Sequence, residues 1–193
     1  MEWEVCYSNS QGDYNMKFSK TKLSGAYVIE IEKIEDQRGF FSRVWDKNEF
    51  KKQGLSSELI QCSVSFNKNK GTLRGMHYQI SPSEEIKIVR CTQGKIFDVI
   101  IDLRKNSKTY KKWIGVELSQ DNYKMLYIPK GFAHGFLTLD ENTEIFYQMS
   151  NEYNKEMSQG IRWNDPTFAI NWPSKITIMS EKDMNFELYQ DRI

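Results

Sequence analysis

Residues 113–149 read WIGVELSQDNYKMLYIPKGFAHGFLTLDENTEIFYQM, a succession of short apolar, β-branched and aromatic runs broken by polar turn residues. Residues 113–118 and 123–128 flank Ser119-Gln120-Asp121-Asn122, while residues 132–139 and 143–149 flank Asp140-Glu141-Asn142, which predicts two hairpins. Upstream, residues 86–91 (IKIVRC) and 95–103 (KIFDVIIDL) meet at Gln93-Gly94, which predicts a third. In residues 26–34, Tyr27, Ile29 and Ile31 share one face and Val28, Glu30 and Glu32 the other, the period of a half-buried strand. Strands spaced this evenly, with no helical pattern between them, predict an all-β sandwich or barrel. Helices are few. Asp46 followed by Glu49, with Gly54 beyond, predicts a short helix over 47–53, and Ser180-Glu181-Lys182-Asp183 predicts the start of another near the C-terminus.

The 193 residues suffice for one domain with its own core and no disulfide staples. Lys and Arg number 27 against 26 Asp and Glu, a net charge of +1, so charge alone gives no reason to expect nucleic-acid binding. No apolar run approaches the ~18 residues a bilayer span needs. The opening MEWEVCYSNSQGDYN is acidic where a signal peptide starts basic and turns apolar, so no export signal is read. Cys6, Cys62 and Cys91 are far apart and odd in number, which excludes a closed disulfide framework and fits a reducing cytoplasm. Only two histidines occur, His77 and His134, too few for a four-ligand structural zinc site or a three-histidine catalytic one. A two-histidine, one-carboxylate triad stays arithmetically open, and no metal or other cofactor is expected.

Both histidines stand near glycines in apolar surroundings, TLRGMHYQ at 72–79 and IPKGFAHGF at 128–136. Glycine there allows close approach of a ligand or of another backbone. Arg74 and Lys87 lie nearby in sequence, and basic residues aimed into a sandwich need an anion. Arg38 stands beside Gly39, Phe40 and Phe41, where a guanidinium suits phosphate and a ring offers a stacking face. Tyr147, read alone, is a strand tyrosine that packs.

Five blocks, DQRGFF at 36, GTLRGMHYQ at 71, KIVRCTQGKIFDVIIDLRKNSKTYKKW at 87, LYIPKGFAHGF at 126 and GIRWNDP at 160, resemble in this order the dTDP-4-dehydrorhamnose 3,5-epimerase family. The resemblance runs from Met16, leaving residues 1–15 as an added segment before a single epimerase-like domain over 16–193. It implies a cupin jelly-roll β-sandwich, a homodimer whose N-terminal strands reach the partner, and a nucleotide-linked 4-keto-6-deoxy sugar as substrate. By resemblance His77 is the catalytic base, Asp183 its acidic partner, Tyr147 the proton donor, and Lys87 the cation near the keto oxygen. Arg38, Arg74, His134 and Lys182 match substrate-contacting positions, with Phe41 beside Arg38. The implied setting is the making of bacterial surface polysaccharide, lipopolysaccharide or capsule.

The chemistry of those residue types agrees. A C–H beside a ketone is acidified by delocalisation onto the carbonyl oxygen, and imidazole is the side chain that titrates near neutrality. A carboxylate fixes its tautomer and stabilises the imidazolium. An ammonium beside the developing enolate lowers the barrier without a metal. Inversion needs the new proton on the opposite face, the place for Tyr147. Three positions depart from the family's nucleotide contacts: Arg43 replaces a glutamate, Cys62-Ser63 replace an Asp-Asn pair, and Ser158 replaces an acidic residue. Acceptors are lost and a donor-rich site suits guanine, so GDP carrying a 6-deoxy-heptose is expected over dTDP carrying a hexose. Two alternatives remain: a single-carbon epimerase or ketoisomerase, and a non-catalytic carbohydrate-binding cupin.

Overall fold

The computed structural model describes residues 16–190. In chain order the elements are β1 (Met16–Lys20), β2 (Tyr27–Ile31), β3 (Ile34–Asp36), β4 (Gly39–Phe41), α1 (Lys47–Lys52), β5 (Gln61–Asn67), β6 (Leu73–Gln79) and β7 (Lys87–Gln93). They continue with β8 (Lys95–Asp102), β9 (Trp113–Ser119), β10 (Met125–Ile128), β11 (Phe132–Thr138), β12 (Thr143–Met149), β13 (Ser158–Gly160) and α2 (Glu181–Met184). The all-β expectation holds, and both helices stand where their caps predict. Asp46 accepts hydrogen bonds from the backbone of Asn48 and Glu49, and Ser180 from that of Asp183. The added segment at residues 1–15 lies outside the described residues.

A six-stranded antiparallel sheet, β1-β2-β10-β7-β12-β5, faces a five-stranded one, β13-β6-β11-β8-β9. From β5 to β8 the chain changes sheet at every connection, and again from β9 to β13, the weave of a jelly roll. This corrects the three predicted hairpins. β7 pairs with β10 and β12 rather than β8; β9 with β8 rather than β10; β11 with β6 and β8 rather than β12. A turn signal marks a reversal of the chain without saying whether the next strand bonds to its predecessor or crosses to the other sheet. The turns brace one another instead: Gln120 N–H donates to the Gly94 carbonyl at 3.0 Å, Gly94 N–H to Gln120 Oε1 at 2.8 Å, and Leu139 N–H to the Lys95 carbonyl at 2.8 Å.

Between the sheets Val89, Cys91, Leu126, Ile128 and Ile145 meet Ile96, Ile100, Leu118, Phe132 and Phe136. Each sheet is also covered outside. Phe50 of α1 packs with Ile29, Ile88, Met125 and Tyr127 on the larger sheet, and Ile161 and Phe168 pack with Met76, Val99 and Ile101 on the smaller. Double-sided burial is why β8 reads as a nearly continuous apolar run.

The long β8–β9 connection is tied by a buried carboxylate. Asp102 accepts from Arg104 Nε and Nη2, both at 2.8 Å, and from the hydroxyls of Ser107 at 2.5 Å and Thr109 at 2.7 Å. Burial opposes its charge, but these donors outweigh burial and hold the carboxyl below the ordinary aspartate value. A depressed folded value means stabilisation present above the unfolded pKa of ~3.9 and lost as pH falls through the folded value. Asp102→Asn is therefore expected to lower stability by about 2–4 kcal/mol at pH 7, with the gap narrowing below about pH 4. Urea titrations of both proteins at pH 7 and pH 3 check this; a gap independent of pH would remove the carboxylate's charge from the account.

Candidate active site

The two sheets bring into one cavity of about 260 Å³ the side chains of Arg74 and His77 from β6, His134 and Phe136 from β11, Lys87 from β7, Tyr147 and Met149 from β12, and Ser63 from β5. An adjoining cavity of about 250 Å³ shares His77, Lys87 and Met149 and adds Glu85, Tyr153, Ser158 and Lys182. The cleft thus lies between the sheets, with His77 and His134 on one wall and Lys87 and Tyr147 on the other.

Local backbone irregularity aims the smaller sheet's residues. His77 and His134 are direct partners across the β6–β11 ladder, so both point inward. The register then shifts between His134 and Phe136, and Gly75, with φ of +128°, sits at the break. Because of that break Arg74 and His77 line the same cavity, whereas a regular strand sends residues three apart to opposite faces. A Cβ on Gly75 would lie 2.5 Å from Gly135 Cα and 2.9 Å from the His134 carbonyl. These glycines serve the approach of one backbone to another.

Asp183, the buried residue of α2, sits at the base of the site. Its Oδ1 is 2.8 Å from His77 Nε2, and its Oδ2 accepts from Gly75 N–H at 3.1 Å. Burial raises its pKa, but the hydrogen bond and charge of His77, with Gly75 and Ser180, prevail and hold it below the ordinary value. Asp183 is thus an ionised carboxylate that engages Nε2 of His77 and leaves Nδ1 as the ring nitrogen it does not hold. The ring is further held by Phe186, edge-on at 5.7 Å between centroids, and Phe186 itself lies over Gly160, where a Cβ would come within 2.2 Å of it.

A second histidine–carboxylate pair lies deeper. His134 Nε2 is 2.7 Å from Asp98 Oδ1, and both side chains are buried. Burial pushes Asp98 up from its ordinary value, against the pull of His134. The His134 ring stands 6.1 Å from that of Tyr147. Burial raises the Tyr147 phenol well above its ordinary pKa and Asp98 adds to this, while Arg74 and a hydrogen bond with Ser65 work the other way. Tyr147 is therefore held as a neutral phenol, with the Arg74 guanidinium nearby. Each histidine is committed to a different carboxylate, and among the described residues no group of three or more His, Cys, Asp or Glu is placed to hold a metal ion.

Lys87 pairs with Glu85, and Arg74 Nε donates to Asn67 Oδ1 at 2.7 Å. Lys182 stands on the rim with its Nζ 5.8 Å from the Phe186 ring centroid. Ser158 joins the adjoining cavity, while Ser63 is exposed beside Tyr147, its ladder partner. Arg38, Phe41 and Arg43 are not brought to the cleft of their own chain. Arg38 is 90% exposed at the turn of the β3–β4 hairpin and paired with Asp36; Phe41 is 61% exposed. Arg43 Nη1 is 3.4 Å from Asp46, at the start of α1. Glu85, Asn67, Asp98, Tyr153 and Phe186 are site residues the sequence reading missed. A carboxylate amid the apolar KIFDVIID, on its inward-facing register, was the available signal for Asp98.

The family model described as dTDP-4-dehydrorhamnose 3,5-epimerase matches residues 20–191. A dTDP-4-dehydrorhamnose 3,5-epimerase of Sinorhizobium fredii is 42% identical over 169 residues, 87% of each chain. The crystal structure of such an enzyme from Bacillus anthracis, with TDP and PPi bound, superposes with a TM-score of 0.88 at 39% identity, covering 91% of this chain and 100% of the other. A 3′-monoepimerase from Streptomyces bikiniensis, in complex with dTDP-quinovose, gives a TM-score of 0.82 at 26% identity, covering 88% and 86%. Near-complete coverage on both sides, with the predicted blocks in place on a jelly roll, makes the chain a member of the dTDP-4-dehydrorhamnose 3,5-epimerase family.

Proposed function

We propose that this protein is an isomerase that inverts C3 and C5 of a dTDP-linked 4-keto-6-deoxy-hexose by proton removal and return. The observation that carries this reading is the placement of the His77–Asp183 pair and Tyr147 on opposing sheets across one cavity. A flat enolate between them would have a base on one face and a protonated phenol on the other. His77 takes the proton from the carbon beside the ketone, Lys87 steadies the charge arriving on O4, and Tyr147 delivers a proton from the far side. Arg74 and Lys182 at the mouth hold pyrophosphate, which keeps the sugar in place between inversions. Tyr153, 61% exposed on the rim, offers a face for the base to stack on.

GDP and a heptose, expected from the sequence, give way to dTDP and a hexose. That expectation needed Arg43 as the reader of guanine, and Arg43 is engaged with Asp46 at the start of α1. The relatives are named for dTDP-linked sugars, which supports dTDP here. Competitive titration with dTDP, GDP, CDP and UDP should favour dTDP by at least about tenfold, ~1.4 kcal/mol; a preference of that size for GDP would make GDP the nucleotide.

The homodimer belongs to the same proposal. Ile60, Val64 and Phe66 are exposed on the outer face at the β5 edge, and the β3–β4 hairpin holds Arg38 and Phe41 out in solvent. A second copy covering this face gives both features a use, with the hairpin reaching the partner's cleft. A monomer by light scattering at micromolar concentration would count against it. In D2O the protein should place deuterium at C3 and C5 of the substrate, unaffected by EDTA. Exchange at one carbon only would favour the monoepimerase alternative, and chelator-sensitive turnover would require a metal.

A further inference from the structure

Glu85 places a carboxylate inside a cleft lined by Lys87 and Lys182. We propose that Glu85 is a positioning residue for the reaction, holding the Lys87 ammonium at the place where O4 becomes negative; this rests on the epimerase reading of the site.

Glu85 and Lys87 are ion-paired with side chains only 8% and 14% exposed, and both line the cavity that also holds His77 and Lys182. Their arrangement is fixed by the residue between them. Ile86 is buried, its N–H donates to Ser150 Oγ at 2.8 Å, and its carbonyl accepts from Ser150 N–H at 3.1 Å. With Ile86 pinned to the chain leaving β12, extended backbone turns residues 85 and 87 together to the opposite side, into the cleft. A lysine stem has four rotatable bonds and loses much freedom when ordered. A fixed acceptor beside Nζ removes most of that freedom before substrate arrives. Among the described residues Glu85 is the one hydrogen-bond acceptor of Lys87 Nζ, which leaves two of its three N–H groups to turn toward a ligand. A carboxylate so near the phosphates weakens anion binding in general, so its use lies in placing the ammonium.

The test compares Glu85→Met, similar in length but without an acceptor, with Glu85→Gln, which keeps an oxygen for Nζ. With a dTDP-linked 4-keto-6-deoxy-hexose, Glu85→Met should lose about 10–100-fold in kcat with KM within about twofold, since a misplacement near 1 Å costs about that much. Glu85→Gln should stay within about threefold of the natural protein. In a Lys87→Met background, Glu85→Met should add no further loss. An unchanged kcat in Glu85→Met, a loss that persists without Lys87, failure of glutamine to rescue, or loss of folding in Glu85→Met would each overturn the proposal. A natural protein that exchanges no proton at C3 or C5 would instead refute the epimerase reading itself.

Discussion

His77→Ala is expected to abolish deuterium exchange at both C3 and C5, with turnover falling about 10³-fold or more, while dTDP affinity stays within a few fold. A positioned general base is worth about 10²–10⁴ in rate, and the other imidazole on that wall, His134, is buried and bonded to Asp98. Asp183→Asn should be nearly as severe. The carboxamide keeps the shape but removes the negative charge that stabilises the imidazolium and replaces one of the two acceptor oxygens by a donor, so the tautomer is no longer fixed, a change worth up to about 10⁴ in an analogous triad. One of the two Asp183 oxygens also receives Gly75 N–H. A flipped amide would therefore disturb the bend that turns Arg74 into the cleft. Turnover in Asp183→Asn within tenfold of the natural rate would show that the pair is structural.

Tyr147→Phe should behave differently. Its ring packs on the inter-sheet core and on His134, and phenylalanine fills that space, so folding should survive. The proton donor is lost, so inverted product should fall by about 10²–10³ while abstraction continues and the enolate reclaims its proton on the face it left. The raised phenol pKa makes the prediction sharper, because Tyr147 stays protonated as pH rises through the neutral range, and loss of its proton cannot account for a decline in rate there.

How far the sequence could be read depended on the distance over which each feature is encoded. Strand positions from residue 86 onward and both helix caps are local properties and were legible. Sheet membership was not, since Gln93-Gly94 reads the same whether the next strand pairs back or crosses the sandwich. The His77–Asp183 pair spans 106 residues of sequence, and no spacing rule links them; only the resemblance did. Arg43 shows the opposite failure, since its chemistry suited a base and its place at the head of α1 took it elsewhere. Glu85 is not legible in the sequence, because a carboxylate two residues from a lysine on a polar stretch looks like surface, and only the bond from Ile86 N–H to Ser150 turns both inward.

The claim that matters most is that two groups on opposing sheets act on opposite faces of one sugar. Proton NMR in D2O tests it directly, following C3 and C5 of the dTDP-linked 4-keto-6-deoxy-hexose with His77→Ala and Tyr147→Phe side by side. The account predicts no exchange at either carbon with His77→Ala, and with Tyr147→Phe continued exchange in substrate whose configuration is retained. Equal loss of exchange in the two variants, or full inversion without Tyr147, would contradict it.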